Sequence, residues 1–128
     1  MKKAFLFFVT CLFIAGPALA SDDKLSKDYQ RCMDKALGDF DIIECTQKEL
    51  EKQDARLNAA YKKLRAAESE QQKKNLQEAQ RAWIKFRDTW GAYLYDPEGG
   101  TIARVSAISW HLEATVDQAI RLEQRLLE

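Results

Sequence analysis

The chain is poor in the residues on which catalysis most often depends. Its 128 residues include three cysteines and a single histidine, His111, which leaves little material for a metal site or a histidine-activated nucleophile. No glycine-rich phosphate loop is present, because Gly99-Gly100 alone indicates only a turn. Two carboxylates facing a cleft could hydrolyse a glycan, but acids on highly charged helices usually face solvent. The sequence therefore predicts a protein that is not an enzyme and uses no cofactor.

Neither sign of charge is in excess. The chain has 20 basic and 20 acidic residues, and without its first 20 residues, which hold two lysines, it keeps 18 basic and 20 acidic ones, a net charge of −2. Nucleic-acid binding and attachment to an anionic membrane both depend on a basic surplus or a basic block. The charge balance therefore supports neither kind of partner.

A long apolar run occurs only at the N-terminus. Lys2 and Lys3 precede apolar residues 4–14, and Ala18-Leu19-Ala20 supplies the small residues of a cleavage site. The run is too short to span a bilayer comfortably. This pattern predicts a cleaved secretory signal peptide over residues 1–20. The mature protein is then one domain, residues 21–128, with no membrane span and a location in the periplasm or outside the cell.

Two cysteines remain after the predicted signal peptide, Cys32 and Cys45. Disulfides persist outside the cytosol, so we expect these two to form one. Closing a loop of about 14 residues contributes on the order of 3 kcal/mol to stability if the geometry is unstrained. The separation is not that of a Cys-x-x-Cys motif, which favours a structural bond over redox catalysis.

Glycine and proline are scarce, and long stretches without them favour helices. In residues 21–128 they occur only at Gly38, Gly91, Pro97, Gly99 and Gly100. No segment alternates polar and apolar residues as a strand does. We predict an all-α fold, a small bundle of about four helices joined by short antiparallel connections. The first two predicted helices are 25–37, ended by Gly38, and one that begins at Asp39 or Asp41 and runs to about 67. The polar stretch 68–73 is a turn or a frayed junction, a third helix follows it to about 93, and Thr101 caps a fourth.

The apolar spacing of these helices predicts their buried faces. The second helix carries Ile43, Leu50, Leu57 and Leu64 at seven-residue steps, with Tyr61 beside them. The third carries Leu76, Ala79, Trp83, Phe86, Trp90 and Tyr93, and the fourth carries Ile102, Val105, Ile108, Leu112, Val116 and Ala119, continued by Leu122 or Leu126. We predict that the last four residues of the third-helix set, here called the aromatic stripe, belong to the core. The same heptad spacing would serve a dimer as readily.

Three segments resemble a known family. They are Leu57-Asn58-x-x-Tyr61-x-x-Leu64, then Leu76-x-x-x-Gln80-Arg81-x-Trp83-Ile84-x-x-Arg87-Asp88, and Gly99-Gly100-Thr101. From about residue 32 to 122 the chain resembles the LprI-type lysozyme inhibitors, which are small secreted helical proteins. The resemblance implies export, disulfide bonding and, for at least some members, inhibition of lysozyme. Arg87 and Asp88 are adjacent on a helix, and we expect their side chains to diverge.

One departure from the family concerns two further cysteines. The family typically has one shortly after the Arg-Asp pair and one in the last helix, where this chain has Trp90 and Trp110. We expect these two tryptophans to pack across the third and fourth helices in place of that bridge. Aromatic contact contributes about 0.5–1.5 kcal/mol beyond area burial. His111, next to Trp110, is expected at the boundary of the core with no catalytic role.

The resemblance and the loop composition together suggest a function. We expect a periplasmic binding protein that inhibits a lysozyme by occluding its cleft with a loop. The candidate partner-binding residues are Tyr95, Asp96, Glu98, Gly99, Gly100 and Thr101, and the glycines permit close backbone approach. The alternative is an envelope interaction or scaffold protein without lysozyme inhibition.

Overall fold

The computed structural model describes residues 24–128 and contains four α-helices in this part of the chain. They are α1 (Lys27–Met33), α2 (Asp39–Ala67), α3 (Glu70–Leu94) and α4 (Gly100–Arg125). The predicted all-α bundle is confirmed. The predicted signal peptide lies outside the described residues. Within residues 24–128, no helix combines the length and apolar character that a membrane crossing needs.

The first helix and its connection differ from the prediction. α1 spans seven residues, because Ser26 caps it by accepting a hydrogen bond from the Tyr29 backbone N–H at 3.1 Å and the chain leaves the helix after Met33. Gly38 does not end α1; it is the residue before α2, in an extended conformation. Neither aspartate is the cap of α2. Asp41 instead accepts from the Leu37 backbone N–H at 2.9 Å, which satisfies a donor just before the helix.

The other two helices begin earlier than predicted. α3 starts inside the polar stretch, where Ser69 accepts from the Gln72 backbone N–H at 3.3 Å. α4 starts at Gly100, which has φ +63°. The predicted cap Thr101 therefore lies in the first turn of α4, and its hydroxyl donates across to Asp39 on α2 at 2.5 Å.

The central pair of helices is α2 and α4, which run in the same direction. Their first turns meet at Thr101 and Asp39. Further along, Arg56 donates two hydrogen bonds to the Glu123 carboxylate, at 2.7 and 2.6 Å. α3 connects the end of α2 to the start of α4, so it runs antiparallel to both. α1 lies antiparallel against the first half of α2.

The core lies between α2 and α4. One cluster comprises Leu57, Ala60, Leu64, Ala119 and Leu122, and a second comprises Leu50, Leu112 and Val116, with Leu25 and Tyr29 packed against it. Ala60 and Ala119 lack bulk, which lets the parallel helices approach closely. Burying each leucine contributes roughly 1.5–3 kcal/mol. Leu122, and not Leu126, continues the buried face of α4, whereas Ile102 at its start is 61% exposed and does not belong to the core.

Two attachments hold α1 on α2. The predicted disulfide between Cys32 and Cys45 is present, with Cα atoms 5.7 Å apart. About one turn further along α2, the buried Glu49 carboxylate accepts from the Ser26 backbone N–H at 2.8 Å, from the Ser26 hydroxyl, and from Gln53 at 2.7 Å. Burial raises the pKa of Glu49, but these bonds and the charge of Lys52 outweigh it and hold that pKa below its usual value.

The variant Glu49→Gln tests this anchor. We expect it to lower the free energy of unfolding by about 1.5–3 kcal/mol at neutral pH, because a charged acceptor with three donors is lost. A carboxylate with a lowered folded-state pKa stabilises above its unfolded pKa of about 4.5, and its contribution is lost as pH falls through the folded value. Urea unfolding between pH 7 and 3 should therefore show that the free energy of unfolding falls less with decreasing pH in the variant than in the parent protein.

The matched control is Glu51→Gln, which alters an exposed glutamate on the same helix. It should leave stability within about 0.5 kcal/mol of the parent protein. Equal effects of the two variants would contradict the proposed role of Glu49.

Candidate functional site

Most residues of the first two segments that carry the family resemblance line one groove between α2 and α3. The groove has a volume of about 360 Å³. Eight residues of the first two motif segments line it, namely Leu57, Asn58, Tyr61, Gln80, Arg81, Trp83, Ile84 and Arg87. The motif residues recur at steps of three or four on both helices. They therefore lie on one face of each helix, and the antiparallel packing of α2 and α3 turns these two faces toward each other.

Arg87 is the centre of the groove's polar contacts. Its side chain, 16% exposed, donates to Thr115 on α4 at 3.3 Å and pairs with Asp54 on α2 at 3.4 Å. The guanidinium also lies over the Trp83 ring, 5.0 Å from its centroid, an arrangement that attracts a cation to the ring. One arginine of α3 therefore contacts both other long helices.

Two further motif residues clarify what the groove does. Gln80 is buried and accepts from the Gln118 amide of α4 at 2.9 Å. Asp88 lies outside the groove, and the expectation that it diverges from Arg87 is wrong. The long arginine side chain bends back, so that Nε reaches the Asp88 carboxylate at 2.9 Å. These contacts occupy Gln80 and Arg87, the two motif residues that join α3 to α4 through polar groups.

The groove offers little chemistry of its own. Asp54 is its one carboxylate, and Arg87 pairs with it. Among residues 24–128, no three histidine, cysteine or acidic side chains come together as metal ligands would. The motif groove is therefore best explained as a structural joint among α2, α3 and α4.

The aromatic stripe is not a core element, which corrects the prediction. Trp83 is half-buried against the α2–α4 core, but Phe86, Trp90 and Tyr93 are 54%, 43% and 73% exposed. The reason is that α3 packs on α4 and only lightly on α2. The spacing identified a continuous apolar face correctly, whereas most of that face has no partner helix within the described chain.

The predicted contact between Trp90 and Trp110 is present. Their ring centroids are 6.0 Å apart, and Phe86 contacts the Trp110 ring edge-on at 5.7 Å. The Trp110 indole also donates to the Arg87 backbone carbonyl at 2.9 Å. The two tryptophans therefore join α3 to α4, although Trp90 keeps 43% of its surface exposed.

His111 on α4 packs directly against Gly91 of α3. It is half-buried, in agreement with the prediction, and its ring covers Gly91, where an added Cβ would lie 2.1 Å from the imidazole Nε2. Burial and the charge of Arg87 lower the pKa of His111, against the opposing effect of Asp88 and Asp54. Its contacts indicate a packing role.

The candidate loop lies at the end of the bundle where α2 and α4 begin. Tyr95, Asp96 and Glu98 are exposed there. Asp96 stabilises the turn by accepting from the backbone N–H groups of Glu98 and Gly99, each at 2.9 Å. Gly99 packs inward, since a Cβ there would lie 2.8 Å from Ala103, whereas Gly100 has open space around it.

Two exposed apolar residues at this end were missed by the sequence analysis. Leu37 and Phe40, on either side of Gly38, are 95% and 68% exposed. The signal was available, because both lie among aspartates at the start of α2, outside its seven-residue apolar repeat. The bond between Thr101 and Asp39 brings this segment beside the start of α4.

The variant Arg87→Lys tests the joint among the three helices. We expect it to lower the free energy of unfolding by about 1–2 kcal/mol, because lysine keeps the charge but cannot reproduce the forked contacts. The control is Arg81→Lys, an exposed residue at the rim of the same groove, which should change stability by under 0.5 kcal/mol. Thermal unfolding of both variants checks this prediction. An Arg87→Lys variant as stable as the parent protein would refute it.

A double-mutant cycle tests the packing of His111 on Gly91. Gly91→Ala alone should destabilise the protein, because overpacking costs about 1–3 kcal/mol and exceeds the gain of up to about 1 kcal/mol in helix propensity. In the background His111→Ala the clash is removed, so the same substitution should stabilise by about 1 kcal/mol. Urea unfolding of the four proteins measures the effect of Gly91→Ala on stability in each background. If that effect has the same sign in both, the result would argue against the contact.

Comparison with known proteins identifies the family. A family model described as "Lysozyme inhibitor LprI" matches residues 32–122. No curated protein shows a significant match, and no solved structure does. The match begins at the first disulfide cysteine and ends at the last buried leucine of α4, so it includes the motif groove and the candidate loop. Because it covers well over half of the sequence, the chain belongs to the LprI lysozyme inhibitor family.

Proposed function

We propose that the protein is an extracytoplasmic inhibitor that binds a lysozyme with the end of the bundle where α2 and α4 begin. This surface, here called the acidic end, comprises residues 34–44 and 95–104. Membership of an inhibitor family supports the class of partner. The observation that carries the choice of surface is its charge combined with exposed apolar side chains.

The charge of the acidic end suits a basic partner. It has six acidic residues and two basic ones, a net charge of −4, whereas residues 24–128 as a whole are nearly neutral. Lysozymes are commonly basic, and opposite charge accelerates encounter and orients the partners. The charges are largely exposed, so we expect binding to weaken as salt concentration rises.

The acidic end also supplies apolar anchors. Phe40 and Leu37 protrude with most of their surface exposed, and Tyr95 is 47% exposed nearby. Binding energy at protein interfaces is concentrated in a few buried side chains, and aromatic residues are enriched among them. Burial of these three side chains against a partner provides affinity that charge alone does not give.

The conformation of the loop is fixed by contacts within the chain, which suits a loop that enters the cleft of a partner. Asp96 fixes its turn, and the inward packing of Gly99 ties it to the first turn of α4. A preorganised loop loses little conformational entropy on binding. We infer that the loop enters or covers the lysozyme cleft, with Glu98 toward the basic surface around it and the open backbone of Gly100 closest to the partner.

A lysozyme turbidity assay tests the proposal directly. The protein beginning at Ser21 should slow the clearing of bacterial cell walls at micromolar excess, and Phe40→Ala should weaken inhibition at least tenfold because an anchor is lost. The control Leu127→Ala removes an 89% exposed side chain at the opposite end of the bundle and should remain within twofold of the parent protein.

The charge contribution is tested in the same assay by Glu98→Lys. It should weaken inhibition severalfold at low salt and less at high salt, because salt screens exposed charges. The control Glu78→Lys makes the same charge change at an exposed position in the first half of α3 and should have little effect. Absence of inhibition by the parent protein would contradict the proposal and favour the envelope scaffold.

A further inference from the structure

The aromatic stripe of α3 is a second surface, distinct from the acidic end. We propose that it is a dimer interface, on which a second copy of this chain packs with its own α3 running antiparallel. Phe86, Trp90 and Tyr93 are the exposed residues that carry this proposal. It goes beyond the inhibitor function, which requires only the acidic end.

The spacing of the stripe is suited to a helix as its partner. Together with Leu76 and Ala79, its residues alternate steps of three and four, the pattern by which helices pack knobs into holes. Small exposed side chains flank it at Ala82 and Thr89, so that a second helix backbone can approach closely. Within residues 24–128, Trp110 of α4 contacts two of its rings, but Phe86, Trp90 and Tyr93 each keep 43% or more of their surface exposed.

The rings of the stripe are already ordered by their mutual contacts. Phe86 lies 6.2 Å from Trp90, and Trp90 lies 5.3 Å from Tyr93, measured between ring centroids. Trp110 supports Phe86 and Trp90 from α4. Because these side chains are restrained by one another, docking a partner on them loses less side-chain entropy than ordering free rings would.

The distribution of charge favours a second copy in antiparallel orientation. α3 ends at the acidic end, with net charge −4, and begins at the opposite end, where residues 62–74 and 121–128 hold seven basic and four acidic residues, a net charge of +3. Parallel pairing would place like charges together. Antiparallel pairing moves the acidic end of each copy toward the basic end of the other copy. A single two-fold axis relates the two acidic–basic contacts.

The size of the stripe sets the expected strength of the dimer. From residue 79 to 93 the helix rises about 21 Å, and the exposed stripe is roughly 10 Å wide. This buries less surface than the ~1,200 Å² at the lower limit of stable complexes. We therefore expect a reversible dimer whose dissociation constant lies in the range of about 10–100 µM.

Sedimentation equilibrium from 5 µM to about 1 mM tests association of the chain from Ser21. The apparent mass should rise toward twice that of the monomer. Tyr93→Glu, at the most exposed ring, should raise the dissociation constant at least tenfold, while the matched control Ile84→Glu, on α3 but outside the aromatic stripe and 40% exposed, should change it by less than twofold. A monomer up to 1 mM, or equal effects of the two variants, would overturn the proposal.

Spin labels test the orientation. With the axis near residue 88, labels on Asn75→Cys in the two copies should lie about 40 Å apart, because each residue contributes 1.5 Å of rise, whereas labels on Ala92→Cys should lie within about 20 Å. Both positions are exposed. Short distances at both positions would mean parallel helices and would overturn the antiparallel arrangement.

The turbidity assay separates this proposal from the inhibitor function. Tyr93→Glu should keep inhibition within about threefold of the parent protein, since the stripe lies outside the acidic end. A strictly monomeric protein that inhibits lysozyme would refute the dimer alone. A dimer that fails to inhibit lysozyme would support this proposal and refute the other.

Discussion

The parallel pairing of α2 and α4 is the constraint on which the rest of the structure depends. Parallel helices cannot be joined by a short turn, so the chain returns along α3, a 25-residue helix whose ends are placed by the core pair. α3 therefore serves as a connection as well as a packed element. It packs on α4 along one side and only lightly on α2, so Phe86, Trp90 and Tyr93 of the aromatic stripe remain largely exposed.

Two charged side chains compensate for the thin packing around this core. Arg87 ties α3 to α2 and α4 through Asp54, Thr115 and the Trp83 ring, while Glu49 ties α1 to α2 through Ser26. Both are mostly removed from solvent, where hydrogen bonds to a charged group contribute about 1.5–3 kcal/mol. The disulfide acts on the same short helix as Glu49, because seven residues bury too little surface to dock by apolar contact alone.

Helix number, the disulfide and the core positions Leu50, Leu57, Leu112 and Val116 were predictable, because apolar spacing and scarce glycine indicate them locally. The exposure of the aromatic stripe was not predictable. A periodic pattern identifies the apolar face of a helix but not whether a partner covers it, since that depends on the direction of the neighbouring helices. Leu37 and Phe40 were missed for a related reason, since apolar residues outside any repeat give no periodic signal. Thr101 was misassigned because its hydroxyl finds Asp39 across the bundle, a contact that spacing does not encode.

The motif residues have a consequence for specificity. Leu57, Gln80 and Arg87 are occupied by contacts within the fold, so these three features of the family resemblance secure the scaffold. Selection must then depend on side chains that the scaffold presents and does not use. Phe40 and Glu98 are of this kind, because each is exposed and neither supports a helix through its side chain. A family member with the same groove and a different acidic end would therefore share this fold while binding a different partner.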